Sequence, residues 1–287
     1  MKKSEFYEYG VSCFLSKDSI ERVLCKVLGC SREDLFLKQD IPASFLYDFQ
    51  KYVYEFKKGV PESYILGQQE FYGREFYVEP CTLIPRRETE LLVDVMRDIC
   101  LFSADMQTSS YIDIGTGTTC ILSSLILELH PLQFQDIYAV DINSAILKLS
   151  QRNLERHHIA GVTLLEGSLL SVFLSEKKSL QKTLYISANL PYIKYGDEKN
   201  MGNDVVKYEP DSALYGGNKT GFELYTTLLH QCFLLKNTYK LKDIHVCIEI
   251  GYDQYDYSQD VLTELGLRFE YFTDFRNIKR VIYISGF

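Results

Sequence analysis

An asparagine and a proline interrupt an apolar run in the second half of the chain. The run from 184 to 188 has the composition of a strand, and Asn189-Leu190-Pro191-Tyr192 follows it directly. Pro191 has no N–H group, so the ladder of hydrogen bonds cannot continue through it. We therefore expect the Asn189 side chain and the Leu190 carbonyl at the carboxyl end of a strand, where open α/β sheets bind their ligands.

The oxygens of Asn189 and Leu190 can both accept hydrogen bonds from one planar NH₂ group. Amide and aniline-like nitrogens are poor nucleophiles because their lone pair is delocalised. Fixing both N–H bonds orients such a nitrogen toward an electrophilic methyl group, and the Tyr192 ring can stack on the planar group. The alternative is an ordinary proline loop that leaves a strand. Taken alone, the stretch favours the proline loop. The choice between the two interpretations therefore depends on the motifs elsewhere in the chain.

A glycine-rich loop follows the first strand of the alternating region, in the sequence Asp113-Ile114-Gly115-Thr116-Gly117-Thr118-Thr119. Glycines at this point let the backbone approach a ligand at a helix N-terminus. Dinucleotide sites have a third glycine where this chain has Cys120. The carboxylate of Asp113 would suit a cationic group, such as the α-amino group of S-adenosylmethionine. A tight turn without a ligand is the alternative interpretation.

Asp141 ends the next predicted strand, 24 residues after Gly117. A carboxylate at that position accepts hydrogen bonds from ribose hydroxyls. Asp141 could instead cap the following helix, although Asn143 and Ser144 are candidates for that role. The order and spacing of the two motifs are those of a nucleoside site, so each supports the other.

The N-terminal region is predicted to be helical. A helix runs from Asp18 to Leu28 behind a capping aspartate and ends at Gly29. Ser31 with Asp34 resembles a capping box, and a third helix covers Pro42 to Lys58. Two aromatic-rich runs around Gly73 then predict a β-hairpin. The first 60 or so residues are thus expected to form a small helical bundle.

From Ser110 onward, strands alternate with helices. Strands are predicted at 111–114, 137–140, 162–165, 184–188, 245–250, 268–272 and 280–284, and helices at 119–129, 144–157, 221–235 and 260–265. Alternation of this kind indicates a parallel sheet covered on both faces. The last two strands lack a helix between them and should pair antiparallel at the end of the sheet.

Composition narrows the functional classes. The chain of 287 residues carries a net charge of −8, which disfavours nucleic acid as the main partner. The opening residues do not form a signal peptide, and no apolar run approaches the ~18 residues of a membrane span. The eight cysteines show no CxxC pair, so zinc and disulfide frameworks are not expected. These features predict a soluble cytoplasmic protein without a metal.

These motifs resemble the HemK/PrmC family of N5-glutamine methyltransferases. The likeness extends from about residue 43 to 284. Its most distinctive part is the stretch at 83–90, which generic methyltransferases lack. Pro61–Gly67 is similar to the pattern P-x-x-Y-I-x-G, and Leu83–Glu90 is similar to L-I-P-R-P-E-T-E, with Arg87 in place of the second proline. Tyr208–Gly221 is similar to Y-E-P-x-x-A-L-x-G-G-x-x-G, and Asp274 with Arg280-Val281 resembles the closing segment of the family.

The resemblance implies a class I (Rossmann-like) S-adenosylmethionine-dependent methyltransferase sheet behind a helical domain. Residues 1–67 would be the helical, release-factor-binding domain, 68–85 a hairpin linker and 86–287 the methyltransferase domain. The loop Gly115–Thr119 would cradle the methionine part of the cofactor, and Asp141 would hold the ribose. Asn189, Leu190, Pro191 and Tyr192 would hold the substrate, the glutamine of the Gly-Gly-Gln loop in class I peptide chain release factors. Asn189 would also face the cofactor.

Three departures from the family pattern bear on activity. Leu190 replaces the first proline of Asn-Pro-Pro-Tyr, and a leucine is less rigid although its carbonyl remains. The Ser-Asp-aromatic segment that walls the adenine reads Gly167-Ser168-Leu169, so Ser168 replaces the acid and Leu169 the ring. Thr119 replaces a frequent glycine. The altered adenine wall predicts weaker cofactor binding.

The sequence therefore predicts methyl transfer to a glutamine amide by in-line displacement, with the surplus proton leaving to water. Two alternatives stay open. One is an adenine N6 methyltransferase that acts on DNA or RNA with the same strand-end stretch. The other is a binding protein that has lost activity through its altered adenine and amide sites.

Overall fold

Five helices form the N-terminal part of the protein. The structure is a computed structural model that describes residues 1–103 and 105–287. The helices are α1 (Lys3–Ser12), α2 (Lys17–Leu28), α3 (Arg32–Leu37), α4 (Leu46–Lys57) and α5 (Glu62–Leu66). They enclose a core of their own, in which Phe6, Ile20 and Phe49 are fully buried.

The helix ends follow local capping chemistry, with one correction to the prediction. Ser31 and Asp34 form the expected capping box of α3, and Gly29 ends α2 with a left-handed φ of 62°. The cap of α2 is Ser16 rather than Asp18, because the Ser16 hydroxyl accepts the backbone N–H of Ser19. Helix α1 was not predicted, since its sequence has no clear apolar stripe.

The predicted hairpin is present as β1 (Gln68–Phe71) and β2 (Arg74–Tyr77). Tyr72 and Gly73 both have positive φ, as the two central residues of a type I′ hairpin turn must. Phe71 and Phe76 are buried in the core of the following domain. The hairpin is therefore packed into that domain, beyond the linking role expected from the sequence.

The remaining strands build one seven-stranded sheet and one two-stranded pair. They are β3 (Ser110–Ile114), β4 (Asp136–Asp141), β5 (Val162–Glu166), β6 (Thr183–Ala188), β7 (Ile193–Lys194), β8 (Tyr215–Gly217), β9 (Asp243–Glu249), β10 (Arg268–Thr273) and β11 (Lys279–Ser285). The sheet order is β10-β11-β9-β6-β3-β4-β5, and β7 pairs with β8. Strands β3 to β6 and β9 run parallel, while β11 is antiparallel to both β9 and β10. The predicted parallel sheet with a terminal antiparallel pair is confirmed.

Helices cover both faces of this sheet. They are α6 (Glu90–Leu101), α7 (Cys120–Leu129), α8 (Ser144–Arg156), α9 (Ser171–Glu176), α12 (Glu223–Tyr239) and α13 (Tyr255–Glu264). The short helices α10 (Asn203–Tyr208) and α11 (Asp211–Leu214) lie in the segment between β7 and β8. The short elements α9, α10, α11, β7 and β8 were not predicted. Within the described residues, no helix combines the length and apolar character needed to cross a bilayer.

The direction of strand addition reverses between β3 and β6. From β3 the chain adds β4 and β5 on one side, then returns to place β6 on the other side. At such a switch point the loops after neighbouring strands diverge and leave a crevice at the carboxyl ends. The glycine loop, Asp141 and Asn189 all follow strands that end at this crevice.

Candidate active site

The glycine loop bends sharply over the end of β4. Gly115 and Gly117 have φ angles of 67° and 53°. The backbone N–H groups of Gly115 and Thr116 both donate to the Val140 carbonyl, at 2.9 and 3.0 Å. The loop is thus held against the neighbouring strand before it enters α7, and its backbone lines the crevice.

Asp141 lies at the rim of this loop with most of its surface buried. Its carboxylate accepts the N–H of Gly117 at 3.1 Å and the N–H of Asn143 at 3.2 Å. Burial raises the pKa of Asp141, and these backbone N–H groups partly offset the effect. The side chain of Asn143, through the N–H of Ala145, supplies the cap of α8. Asp141 therefore remains available to a ligand in the crevice.

A cavity at the switch point contains much of the predicted cofactor site. The residues that line it include Gly115, Gly117, Asp141, Ser168, Leu169 and Asn189. Leu169 is nearly buried and has a left-handed φ of 53°.

Asp113, Thr116, Thr118 and Thr119 do not line this cavity, and their contact with a cofactor stays a prediction. Asp113 is 1% exposed and accepts hydrogen bonds from the hydroxyls of Ser187 and Thr116. Burial raises the pKa of Asp113 to about 6, although the two hydroxyls lower it. The carboxylate therefore lies beneath the loop and anchors Thr116. Its direct contact with a cofactor amino group stays a prediction.

A second cavity lies on the other side of the strand-end stretch. Asn189, Leu190 and Pro191 line both cavities, whereas Tyr192 and Glu249 line only the second. The strand-end stretch is thus a shared wall between two binding spaces. All four residues predicted to hold a substrate border the second cavity.

The Asn189 side chain is oriented by Thr89. Its amide nitrogen donates to the Thr89 hydroxyl at 3.1 Å. With the amide nitrogen engaged in this way, the amide oxygen of Asn189 is left to accept a hydrogen bond from a ligand.

Glu249 ends β9 beside the second cavity. Its Oε1 accepts the Tyr192 hydroxyl at 3.4 Å, while Oε2 is buried and has no hydrogen-bond partner among the residues that the structure describes. Burial raises the pKa of Glu249 to about 7, although the Thr89 hydroxyl and the charge of Arg280 lower it. An unpaired buried carboxylate oxygen is costly, so its place beside a cavity marks a binding position.

A partly buried ion pair lies at the edge of the second cavity. Arg86 pairs with Glu209, whose side chain is almost fully buried. Glu209 also accepts the N–H of Ile84 at 3.4 Å. This contact ties the Leu83–Glu90 segment to the Tyr208–Gly221 segment, two stretches that are far apart in sequence.

Sequence reasoning missed Thr89 and Glu249 as site residues. Thr89 lies inside the distinctive Leu83–Glu90 segment, but nothing in the sequence indicates its contact with Asn189. Glu249 carries the same signal as Asp141, an acidic residue that ends a buried strand of a parallel sheet. Applied to β9, that rule would have identified it.

Comparison with known proteins identifies the N-terminal helices first. Residues 16–67 match the family model described as the PrmC N-terminal domain. The protein is also 34% identical to a release factor glutamine methyltransferase of Bacillus anthracis, across 82% of this chain and 79% of the relative. It is 30% identical to one of Aquifex aeolicus, across 88% and 84% of the two chains.

A crystal structure of the hMettl16 catalytic domain in complex with MAT2A 3′UTR hairpin 6 has a similar fold, with a TM-score of 0.51. It is 15% identical and covers 81% of this chain and 91% of its own. At that identity the likeness concerns the fold alone. The sequence relatives and the N-terminal match go further, and they show that this chain belongs to the family of release factor glutamine methyltransferases.

Proposed function

We propose that the protein transfers a methyl group from S-adenosyl-L-methionine to the side-chain amide nitrogen (N5) of the glutamine in the Gly-Gly-Gln motif of class I peptide chain release factors. One observation carries the proposal: Asn189, Leu190 and Pro191 line two cavities at once. Groups bound on either side would meet at this stretch. The family membership of the chain supports the same reaction.

The first cavity fits the cofactor. A side chain at Gly115 would place its Cβ 3.0 Å from Leu190 Cδ2, so the glycine keeps the passage between loop and strand end open. The loop backbone at Gly115 and Gly117 would hold the methionine part, Asp141 the ribose hydroxyls, and Leu169 one face of the adenine. When bound, S-adenosylmethionine supplies an electrophilic methyl group on a positively charged sulfur.

The second cavity supplies two acceptors to the substrate amide. The Asn189 amide oxygen and the Leu190 carbonyl would each take one N–H of the glutamine NH₂ group. Holding both N–H bonds directs the nitrogen lone pair toward the methyl group. This orientation is the source of the proposed rate acceleration. The half-buried Tyr192 ring would pack against the planar amide.

Glu249 is proposed to receive the surplus proton. Attack by the amide nitrogen leaves it positively charged, so one of the two N–H protons held by Asn189 and Leu190 must then leave. The methylated nitrogen would turn so that this N–H leaves its acceptor and faces Glu249, whereas the sequence alone left the proton to water. The unpartnered Oε2 of Glu249 is a nearby acceptor, and a pKa of about 7 lets the carboxylate exchange protons near neutral pH. The Tyr192 hydroxyl holds the other oxygen in place.

The helical domain at 1–67 is proposed to bind the release factor and present its loop to Asn189, with the hairpin at 68–85 and the methyltransferase domain at 86–287. The net charge of −8 supports a protein partner over direct contact with nucleic acid. A release factor is a partner of ribosomes, so we propose a cytoplasmic location.

Radiolabelled S-adenosylmethionine tests the substrate class. Full-length release factor and duplex DNA are offered separately to the wild type, to Asn189→Ala and to Asn237→Ala, a control on the exposed face of α12. We expect label on the release factor only, lost in Asn189→Ala and kept in the control. Label on DNA alone would establish the adenine methyltransferase instead. Calorimetry that detects no cofactor binding would favour an inactive binding protein.

A further inference from the structure

A buried tyrosine contacts the backbone of the strand-end stretch from behind. Tyr225 belongs to α12 and is fully buried. Its hydroxyl accepts the backbone N–H of Leu190 at 2.9 Å. The same hydroxyl donates to the carbonyl of Glu249 at the end of β9. One phenol thus joins the ends of β6 and β9, the two strands that border the second cavity.

The proton of this phenol has two carbonyl oxygens within reach. The contact with the Glu249 carbonyl is the shorter, and the Leu190 carbonyl lies 3.2 Å from the same oxygen. A phenol has a single proton, so its donation to Glu249 leaves the Leu190 carbonyl able to accept from another donor. The Leu190 N–H is satisfied at the same time, which matters because Leu190 is buried.

We propose that Tyr225 is a positioning residue: it holds the Leu190 N–H and so restrains the backbone of Leu190, whose carbonyl is then presented to the substrate amide. The inference rests on the proposed function. A proline at position 190 would restrict φ through its ring and would have no N–H. Leucine has neither property, and the Tyr225 hydroxyl supplies by hydrogen bonding the restraint that a ring would supply covalently.

A double-mutant cycle between Tyr225 and Leu190 tests the coupling. Tyr225→Phe removes the hydroxyl while keeping the ring. In the wild-type background we expect kcat to fall about tenfold, with the KM for S-adenosylmethionine changed less than about twofold. In a Leu190→Pro background no N–H remains to be held, so the same change should lower kcat by only about two- to threefold, through the lost Glu249 contact. Equal losses in the two backgrounds would overturn the proposal.

A matched control comes from the far end of the same helix. The Tyr239 hydroxyl donates to the Phe173 carbonyl at 2.7 Å, away from the strand-end stretch. Tyr239→Phe removes a similar phenol–carbonyl hydrogen bond and should leave kcat unchanged. A fall in kcat as large as that of Tyr225→Phe would mean that loss of any such bond on α12 disturbs the enzyme, and would refute a specific role.

Hydrogen exchange at the Leu190 amide provides a readout that needs no substrate. In the wild type this amide should exchange slowly, and Tyr225→Phe should accelerate it about tenfold or more, with the amide of Ile186 in β6 unchanged. Rapid exchange in the wild type, or no acceleration in the variant, would overturn the proposal. If the wild type fails to methylate a release factor, the proposed function fails, while this measurement still decides whether Tyr225 holds the stretch.

Discussion

At the scale of single residues, Glu249 gives the site its expected pH dependence. Its pKa of about 7 lies above the ordinary value of 4.5 because the carboxylate is buried. If the ionised form receives the proton, kcat/KM should rise with pH and level off above about 7. Glu249→Gln should lower the plateau and remove this rise. A pH–rate profile of the variant that keeps the same inflection would exclude Glu249 as the titrating group.

The same pKa shift has a consequence for stability. The Glu249 carboxyl binds its proton more tightly in the folded protein than in the unfolded chain. The contribution of this proton to the free energy of unfolding is therefore complete below pH 4.5 and is lost as pH rises through 7. The loss is on the order of 3 kcal/mol at pH 8. Glu249→Gln should therefore unfold at a higher temperature than the wild type at pH 8, with the difference shrinking toward pH 5. Parallel pH dependences of the two melting temperatures would contradict the assigned burial.

Asp141 provides a test of the cofactor cavity with a control on its own strand. Asp141→Asn keeps the size of the side chain and removes the charged acceptor, so S-adenosylmethionine should bind about 10- to 100-fold more weakly. Asp136 begins the strand that Asp141 ends, and Asp136→Asn should leave binding within about twofold. Isothermal titration calorimetry measures both. Equal binding by the two variants would remove Asp141 from the cofactor site.

Residues at strand ends were the predictable part of the site. Asn189 and Asp141 follow buried strands, and parallel sheets collect such positions at one edge. Asp113 lies beneath the loop because the chain turns at Gly115, and its contact with a cofactor stays a prediction. The Asn189–Thr89 and Leu190–Tyr225 contacts join residues far apart in sequence. Local pattern carries no information about contacts of that kind.

At the scale of elements, Asn153 of α8 connects the hairpin to the glycine loop. It is fully buried, accepts the Tyr77 N–H at 2.7 Å and donates to the carbonyls of Tyr77 and Thr118 at 3.0 and 2.9 Å. The side-chain amide of Asn153 therefore holds β2 against the glycine loop. This contact explains why the hairpin is part of the methyltransferase core.

The Asn153 contacts predict a large effect from a small substitution. Asn153→Asp replaces the amide donor by a carboxylate oxygen that faces two carbonyls, and it should lower the free energy of unfolding by about 2–4 kcal/mol. Gln151→Ala on the exposed face of the same helix should change it by less than about 0.5 kcal/mol. Urea unfolding of both variants gives the comparison. A similar small change in each would show that the bridge contributes little.

Long periodic elements were predictable, and short ones were not. The strands and helices from 110 onward have apolar patterns long enough to identify. The segment from 203 to 217 contains helices of six and four residues and a strand of three. Such pieces are too short for a periodic signal. They are held by non-local contacts such as the pair of Arg86 and Glu209.

At the scale of the whole molecule, the core of the helical domain is separate from the two cores that pack on the large sheet. The helical core draws on residues from 6 to 66, and the cores around the large sheet begin at Phe71. Damage to the helical core should therefore stay local. This separation supports the proposed boundary after residue 67 and makes it testable.

Phe49→Ala provides that test. The side chain is fully buried in the helical core, and its loss should cost about 3–5 kcal/mol there. Hydrogen exchange should accelerate in α1 to α4 and remain unchanged in β3 and β6. Phe14 is 98% exposed, and Phe14→Ala should leave exchange unaltered in both regions. Acceleration throughout β3 and β6 in Phe49→Ala would mean that the two parts unfold as one unit.

Mass spectrometry of a methylated release factor tests the central claim most directly. Purified release factor is incubated with the protein and saturating S-adenosylmethionine, digested, and the Gly-Gly-Gln peptide is sequenced by fragmentation. We predict the mass of one methyl group on the glutamine side chain with the wild type and none with Asn189→Ala. An unmodified glutamine with the wild type, or a methyl group on another residue, would contradict the account.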